Sequence, residues 1–138
     1  MTTEQIKYKS KILALIIYRG EMPQGLKFFT PDDYSLQMGK HYHSKGTTIK
    51  AHKHCAVKIK RHEPLQEVLF IEEGKVKIDF YSDDGRPLES KILKKGDIVL
   101  LREGGHSFEF LEITKMWEIK QGPYDPLSRQ HLPEKDKA

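Results

Sequence analysis

Two histidines and a carboxylate lie close together in a stretch that otherwise reads as hydrophobic sheet. Residues 49–74 are IKAHKHCAVKIKRHEPLQEVLFIEEG, with His52 and His54 two apart and Glu67 thirteen residues after the second histidine. Residues i and i+2 of a strand project to the same face, so a strand here would present both imidazoles together. Two imidazoles and one carboxylate are a ligand set that suits Fe(II) and neighbouring first-row metals. The spacing therefore predicts a divalent metal site.

A further histidine heads an apolar strand face downstream. His106 alternates with Phe108 and Phe110, and two glycines just before it permit a sharp corner. Glu67 shares its parity with Leu69, which is typical of a side chain that faces a sheet interior. We expect antiparallel neighbours to bring these groups together as one metal shell, formed by His52, His54, Glu67 and His106.

The same parity argument selects the side chains expected to line the pocket: Lys50, Leu69, Phe108 and Phe110. A lysine that faces inward beside a metal is unfavourable unless it meets an anion. Lys50 therefore indicates a small-molecule ligand with negative charge. The pattern assigns no catalytic residue.

Other residues offer alternative ligands. His41 and His43 also have i, i+2 spacing, and they are the best alternative pair, expected on the pocket rim or the surface. His62 and Glu63 precede a proline and read as loop. Cys55 follows His54 directly, so it is expected on the opposite face as a small buried hydrophobe.

Short apolar stretches separated by turn signals predict an all-β protein. Strands are predicted in LALIIYR, YSLQMG and GTTIKAHKH. The clearest predicted hairpin is QEVLFIEEGKVKIDFYS with Gly74 at its turn, and another turn is predicted at Asp84-Gly85. The 138 residues fit one domain, expected over 1–122. Residues 123–138 carry prolines and charges and are expected to form a partly ordered tail, and residues 1–11 to fray or add a strand to a partner.

The composition disfavours several classes of function. The net charge is +4, with lysines spread along the chain and no basic run, which argues against nucleic-acid binding. The apolar run at residues 12–18 is too short to span a bilayer. A single cysteine excludes an internal disulfide and fits a reducing compartment. We expect a cytoplasmic protein that uses neither nucleic acid nor membrane.

Two motifs together resemble those of the cupins. Gly46-x5-His52-x-His54 followed by Glu67-x6-Gly74 resembles the first cupin motif, and GDIVLLREGGH at residues 96–106 resembles the second. The resemblance covers most of the chain, residues 12–124. Twelve residues separate the second histidine from the glutamate where cupins usually have three or four, so 55–66 would be an inserted hairpin or a lid over the pocket mouth. Arg102 replaces a usual proline, and the motif's histidine usually comes one residue later.

The resemblance implies a double-stranded β-helix, the cupin jelly-roll barrel, and a homodimer formed through exposed strands. It implies the same four metal ligands and one divalent transition metal, Fe, Mn, Ni or Zn. The expected function is that of a small-molecule metalloenzyme of oxygenase or isomerase type, from a group associated with bacterial surface-polysaccharide genes. Cupins host many activities, so the substrate stays open.

Two other functions stay open beside this one. The first is a metal-free sugar epimerase or isomerase, with His52 or His106 as base and Tyr42, Tyr81 or Tyr124 as its partner. The second is a binding module that senses or carries a small ligand without turnover.

Overall fold

The computed structural model describes residues 1–58 and 63–132, and these form an all-β structure, as the sequence predicts. They separate into two compact units. The main unit comprises Met1–Gly20 and Pro64–Ala138, and the insert comprises Glu21–Glu63. The strands are β1 (Thr3–Tyr8), β2 (Lys11–Ile17), β3 (Gly25–Phe28), β4 (Gly39–Tyr42), β5 (Glu67–Glu73), β6 (Lys75–Tyr81), β7 (Pro87–Lys94), β8 (Ile98–Leu101), β9 (Gly105–Phe110) and β10 (Lys115–Lys120), and Pro126–Ser128 form a 3-10 turn.

Two antiparallel sheets build the main unit. One has five strands in the order β1-β2-β8-β5-β10, and the other has three in the order β7-β6-β9. Among the described residues no strand pairing closes these sheets into a barrel. The described residues are therefore all-β, with two sheets in the main unit and a third, two-stranded sheet of β3 and β4 in the insert.

The core is formed by the inward residues of both sheets. Alternation along β5 buries Leu69 and Ile71, and alternation along β6 buries Val76, Ile78 and Phe80. The remaining buried members of this cluster are Ile6, Ala14, Ile16, Leu93, Val99 and Leu101. Burial of these side chains is the main favourable contribution to folding of the unit.

The segment around Gly74 joins the two sheets, so the predicted hairpin there is wrong. β5 pairs with β8 and β10, whereas β6 pairs with β7 and β9. Gly74 has a positive φ of 93°, and a Cβ at this position would lie 2.3 Å from the carbonyl oxygen of Ile113. A glycine signals a sheet-to-sheet corner as readily as a hairpin turn, which is why sequence alone cannot separate them. The turn predicted at Asp84-Gly85 does join the paired strands β6 and β7.

Asp97 fixes the corner that leads into β8. Its carboxylate is 3% exposed. It accepts hydrogen bonds from the backbone N–H of Arg19 (2.8 Å) and of Lys94 (2.9 Å). The preceding Gly96 donates to the carbonyl of Ile71 at 2.8 Å. Gly96 and Asp97 thus link β5 and β7 to the segment that follows β2.

The insert holds a short antiparallel pair, β3 and β4. Residues 43–58 contain no strand, so the strand predicted in GTTIKAHKH is wrong. Of the strand predicted in YSLQMG, only the last residue, Gly39, belongs to a strand, where it begins β4. The alternating residues of GTTIKAHKH include few large apolar side chains that a strand could bury, and the isoleucine among them, Ile49, is 59% exposed. Without a ladder partner or an apolar face, alternation does not produce a strand.

Both ends of the described chain contain regular structure. The N-terminal residues form β1, which pairs with β2 of the same chain from Thr3 to Tyr8. At the other end, Asp125 caps the 3-10 turn by accepting from the N–H of Leu127 at 2.9 Å. No helix in the described ranges is long and apolar enough to cross a membrane.

Candidate functional site

Glu67 and His106 meet between the two sheets at one end of the main unit. Glu67 is the first residue of β5 and lies on the face of the buried Leu69. His106 pairs with Phe80 across β9 and β6, and Phe80 is buried in the core. Both side chains therefore project inward, and the Nε2 atom of His106 lies 3.0 Å from the Oε1 atom of Glu67. The sequence prediction that parity brings these two residues together agrees with this geometry.

A small open cleft lies beside this pair. Its volume is about 40 Å³, which is room for one or a few water molecules. Besides Glu67 and His106 it is lined by Pro64, Leu65, Leu101, Arg102, Glu103 and Gly104. None of these residues was predicted to line the pocket, although the Gly104-Gly105 corner before His106 marks the loop that carries three of them.

A second carboxyl group contacts Glu67. Glu118 lies on β10 on the same inward face, opposite Leu69, and Lys120 lies directly opposite Glu67. Hydrogen bonding to His106, followed by hydrogen bonding to Glu118, lowers the pKa of Glu67 to about 2. The hydrogen bond to Glu67 raises the pKa of Glu118. Glu67 is therefore the more acidic of the two carboxyl groups, and Glu118 is the one that takes up a proton first as pH falls.

This arrangement predicts a specific pH dependence in metal-free protein. The pKa of Glu67 lies below its ordinary value of 4.5, so its contribution to stability is present above pH 4.5 and is lost as pH falls towards 2. Unfolding by denaturant should show the advantage of the wild type over Glu67→Gln shrinking by roughly 2 kcal/mol across that interval. A difference that is constant from pH 5 to pH 2 would contradict it.

His52 and His54 lie together in the insert. They belong to the irregular segment and are exposed, so the prediction that a strand carries them is wrong. Their ring centroids are nevertheless 5.1 Å apart, and the Nδ1 atom of His52 lies 2.8 Å from the carbonyl oxygen of Lys50. A hydrogen bond at Nδ1 leaves the Nε2 atom of His52 available as a ligand.

The alternative pair has a similar geometry. The Nδ1 atom of His41 lies 3.0 Å from the Nε2 atom of His43, and both residues are exposed, as expected of a surface pair. His62 lies outside the described residues. Glu63 hydrogen-bonds the hydroxyl of Ser35 within the insert. Cys55 is exposed, so its predicted burial is wrong, because the strand that would bury it is missing.

The residues predicted to line the pocket have different positions. Leu69 is 1% exposed and lies deeper in the core. The ring of Phe108 lies 5.2 Å from that of His106 and packs against the core. Phe110 is 56% exposed at the end of β9, and Lys50 is exposed in the insert.

The distance between Glu67 and His106 fits a shared metal ion. Metal bonds to imidazole nitrogen and carboxylate oxygen are about 2.1 Å long, so two neighbouring ligands on one ion lie about 3.0 Å apart in octahedral geometry and about 3.4 Å apart in tetrahedral geometry. The observed Oε1 to Nε2 separation is 3.0 Å. Within the part of the chain that the structure describes, no group of three or more His, Cys, Asp or Glu side chains is already arranged around one point. The observed geometry therefore fits a metal ion at two donor atoms, Oε1 of Glu67 and Nε2 of His106.

Comparisons with protein-family models, with curated proteins and with solved structures find no match to this chain.

Proposed function

We propose that this chain is a mononuclear metal-binding protein of the cupin type that acts on a small molecule. Glu67 and His106 hold one divalent transition metal, and His52 and His54 are the two further ligands that the sequence motifs predict. The observation that carries the proposal is the 3.0 Å approach of Oε1 of Glu67 to Nε2 of His106, made by two strands of different sheets.

The surroundings of the pair support this role. The Glu67 side chain is 15% exposed and that of His106 is 29% exposed, so both are shielded but reachable from the cleft. An ionised carboxylate and a neutral imidazole are the forms that bind metals. The turns at the motif positions Gly74 and Gly96 have the positive φ angles of 93° and 91° that those glycines permit. The jelly-roll architecture is our proposal for the chain, and the two glycine turns at the motif positions are what supports it.

The proposed chemistry is that of an oxygenase or isomerase. A bound Fe, Mn, Ni or Zn ion would supply a Lewis acid for a substrate oxygen atom. The chain contributes the rest: Leu65 and Leu101 give the cleft apolar walls, and Glu118 hydrogen-bonds the carboxylate of Glu67. Arg102 provides a cationic wall that suits a ligand with negative charge, although it also lies 3.7 Å from Glu103.

A metal-free acid–base function is a second candidate, and one contact favours it. The ring of His106 is oriented by its hydrogen bond to Glu67, as the histidine of a proton-transferring dyad is oriented by a carboxylate. Tyr81 does not serve as its acid partner in this geometry. Phe80 faces inward, so Tyr81 lies on the outer face of β6, where its hydroxyl is 3.3 Å from the Oγ atom of Ser107. A measurement of metal content distinguishes the metal-free function from the metal-dependent one. A measurement of turnover distinguishes both from a binding module.

The test compares the two histidine pairs of the insert. Metal-stripped protein prepared without a metal-affinity tag is titrated with Zn²⁺ and Mn²⁺ by calorimetry. Each pair has i, i+2 spacing, so the double variants His52→Asn/His54→Asn and His41→Asn/His43→Asn are matched. We expect the first to weaken binding by roughly 100-fold or more and the second to change it less than about twofold, because only the first pair ligates.

Three outcomes contradict the proposal in different ways. No stoichiometric binding by the wild type removes the metal function and leaves the acid–base candidate. Loss of binding in the His41/His43 variant alone assigns the ligands to the other pair. Equal binding by both variants restricts the ligands to the main unit.

A further inference from the structure

The sandwich of the main unit has an open side at the Glu67–His106 pair. β10 is the last strand of the five-stranded sheet and β9 is the last strand of the three-stranded sheet, and no strand pairing joins them among the described residues. On the opposite side, an ion pair between Glu4 and Lys91 ties β1 to β7. On the side of the proposed metal ligands, the chain that follows β10 crosses from one sheet to the other.

One end of this crossing segment is fixed to β5. Gln121 follows the last residue of β10, and its N–H donates to the carbonyl of Gln66 at 3.4 Å. The N–H of Gln66 donates in turn to the Oε1 atom of Gln121 at 3.1 Å. Gln66 is 1% exposed and directly precedes Glu67. The segment therefore leaves the five-stranded sheet beside one member of the pair.

The other end of the segment is anchored on β9. A Cβ atom at Gly105 would lie 2.3 Å from the Cδ1 atom of Leu132 and 3.2 Å from its Cγ atom, so the leucine lies directly on this glycine. Gly105 does not share the left-handed φ of its neighbour Gly104, which is 76°. The missing side chain therefore makes room for Leu132. Gly105 directly precedes His106, the other member of the pair.

Leu132 contacts Gly105 on the outer face of β9. His106 points into the sandwich, because its partner Phe80 lies in the core. Neighbouring residues of a strand point to opposite faces, so the side of Gly105 that Leu132 covers is the outer one. Residues 121–132 therefore run from β5 around the unpaired edge of β9 to its outer face.

We propose that residues 121–132 form a C-terminal clasp that holds β9 against the five-stranded sheet and so keeps His106 at Glu67. Each end of the clasp is attached next to one member of the pair. Leu132 is a positioning residue, since it acts on His106 through the backbone of β9. Its contact lies at the surface, so the clasp can open locally without unfolding of the sheets. The inference rests on the proposed function for the role of the pair, but its test needs no metal.

The test measures the accessibility of His106 after release of the clasp. Metal-stripped protein is treated with diethyl pyrocarbonate, which acylates neutral imidazole, and each histidine is followed by mass spectrometry. Leu132→Ser is expected to raise the rate of His106 modification roughly fivefold or more, because β9 is no longer held at its edge. The rate at the exposed His41 should not change. The midpoint of urea unfolding should also stay unchanged, since Leu132 is not part of the core cluster.

Leu127→Ser is the matched control for this experiment. Leu127 belongs to the clasp but is 90% exposed, so the substitution removes the same side chain without removing the anchor. It should change the rate of His106 modification less than about twofold. Equal rates in the Leu127→Ser and Leu132→Ser variants, or no increase in Leu132→Ser, overturn the proposal.

A double substitution tests the anchoring contact itself. Gly105→Ala should also raise the rate of His106 modification, because its Cβ displaces Leu132. In the Leu132→Ser background, Gly105→Ala should change the rate less than about twofold further, since substitutions of two residues in contact are not additive. Independent effects that multiply would mean that Leu132 does not hold β9 at Gly105, and the proposal would fail.

Discussion

Replacing Glu67 with glutamine is expected to weaken divalent metal binding by roughly 100-fold or more. Losing an outer-shell partner of a metal ligand typically reduces affinity 10- to 100-fold, and loss of a ligand itself should exceed that. Glutamine keeps the shape of the side chain and its hydrogen bond from His106, so the packing between the sheets is preserved. The measurement is calorimetric titration of metal-stripped protein, with unfolding followed in parallel.

Glu103→Gln is the matched control for this prediction. Glu103 lines the same cleft, and the substitution removes the same charge without removing a proposed ligand. The affinity of the Glu103→Gln variant for the metal ion should stay within about threefold of the wild-type affinity, since one nearby charge acts weakly through partly solvated surroundings. Equal losses in the two variants would mean that general electrostatics holds the ion, and the assignment of Glu67 as a ligand would fail.

Replacing Gly74 with alanine is expected to destabilise the main unit by more than about 3 kcal/mol. The added Cβ would lie 2.3 Å from the carbonyl oxygen of Ile113 and 2.7 Å from the Cα atom of Thr114. Backbone atoms cannot move aside as a side-chain end can, and the φ of 93° is itself unfavourable for alanine. The midpoint of urea unfolding measures the loss.

Gly96→Ala is a control that distinguishes the cost of an unfavourable φ angle from the cost of a steric clash with backbone atoms. Its φ of 91° matches that of Gly74, but the nearest atom to its added Cβ is the Cδ atom of Arg19, at 2.6 Å. Arg19 is exposed and can swing into solvent, so a smaller loss of about 1–2 kcal/mol is expected. If Gly74→Ala is no worse than Gly96→Ala, the sheet-to-sheet corner does not have the tight packing described above.

The alternation of residues within strands could be read from the sequence because it depends on local chain geometry. Glu67 shares a face with Leu69, and His106 with Phe108, wherever these strands pair. Which strands pair could not be read, since Gly74 suits both a hairpin and a corner between sheets. The strand expected around His52 and His54 failed for a related reason. Alternating residues form a strand only when a neighbour supplies hydrogen bonds and an apolar face to pack on.

The approach of Glu67 to His106 was predicted from the sequence, whereas the other residues that line the cleft were not. Arg102 and Glu103 lie within the second motif, but no residue type in it marks them as cleft walls, and they line the cleft just before the chain turns at Gly104, whose φ is 76°. Glu118 was missed for another reason. It contacts Glu67 because β10 is the neighbour of β5, a pairing between segments more than forty residues apart in the chain. Long-range pairing of this kind leaves no local pattern in the sequence.

The most direct test of a shared ion is an anomalous difference map from crystals grown with Zn²⁺ or Mn²⁺. The proposal predicts one peak within about 2.3 Å of both the Oε1 atom of Glu67 and the Nε2 atom of His106. A peak bound by His41 and His43 alone, or an unbroken direct hydrogen bond between Glu67 and His106 in metal-saturated protein, would contradict it.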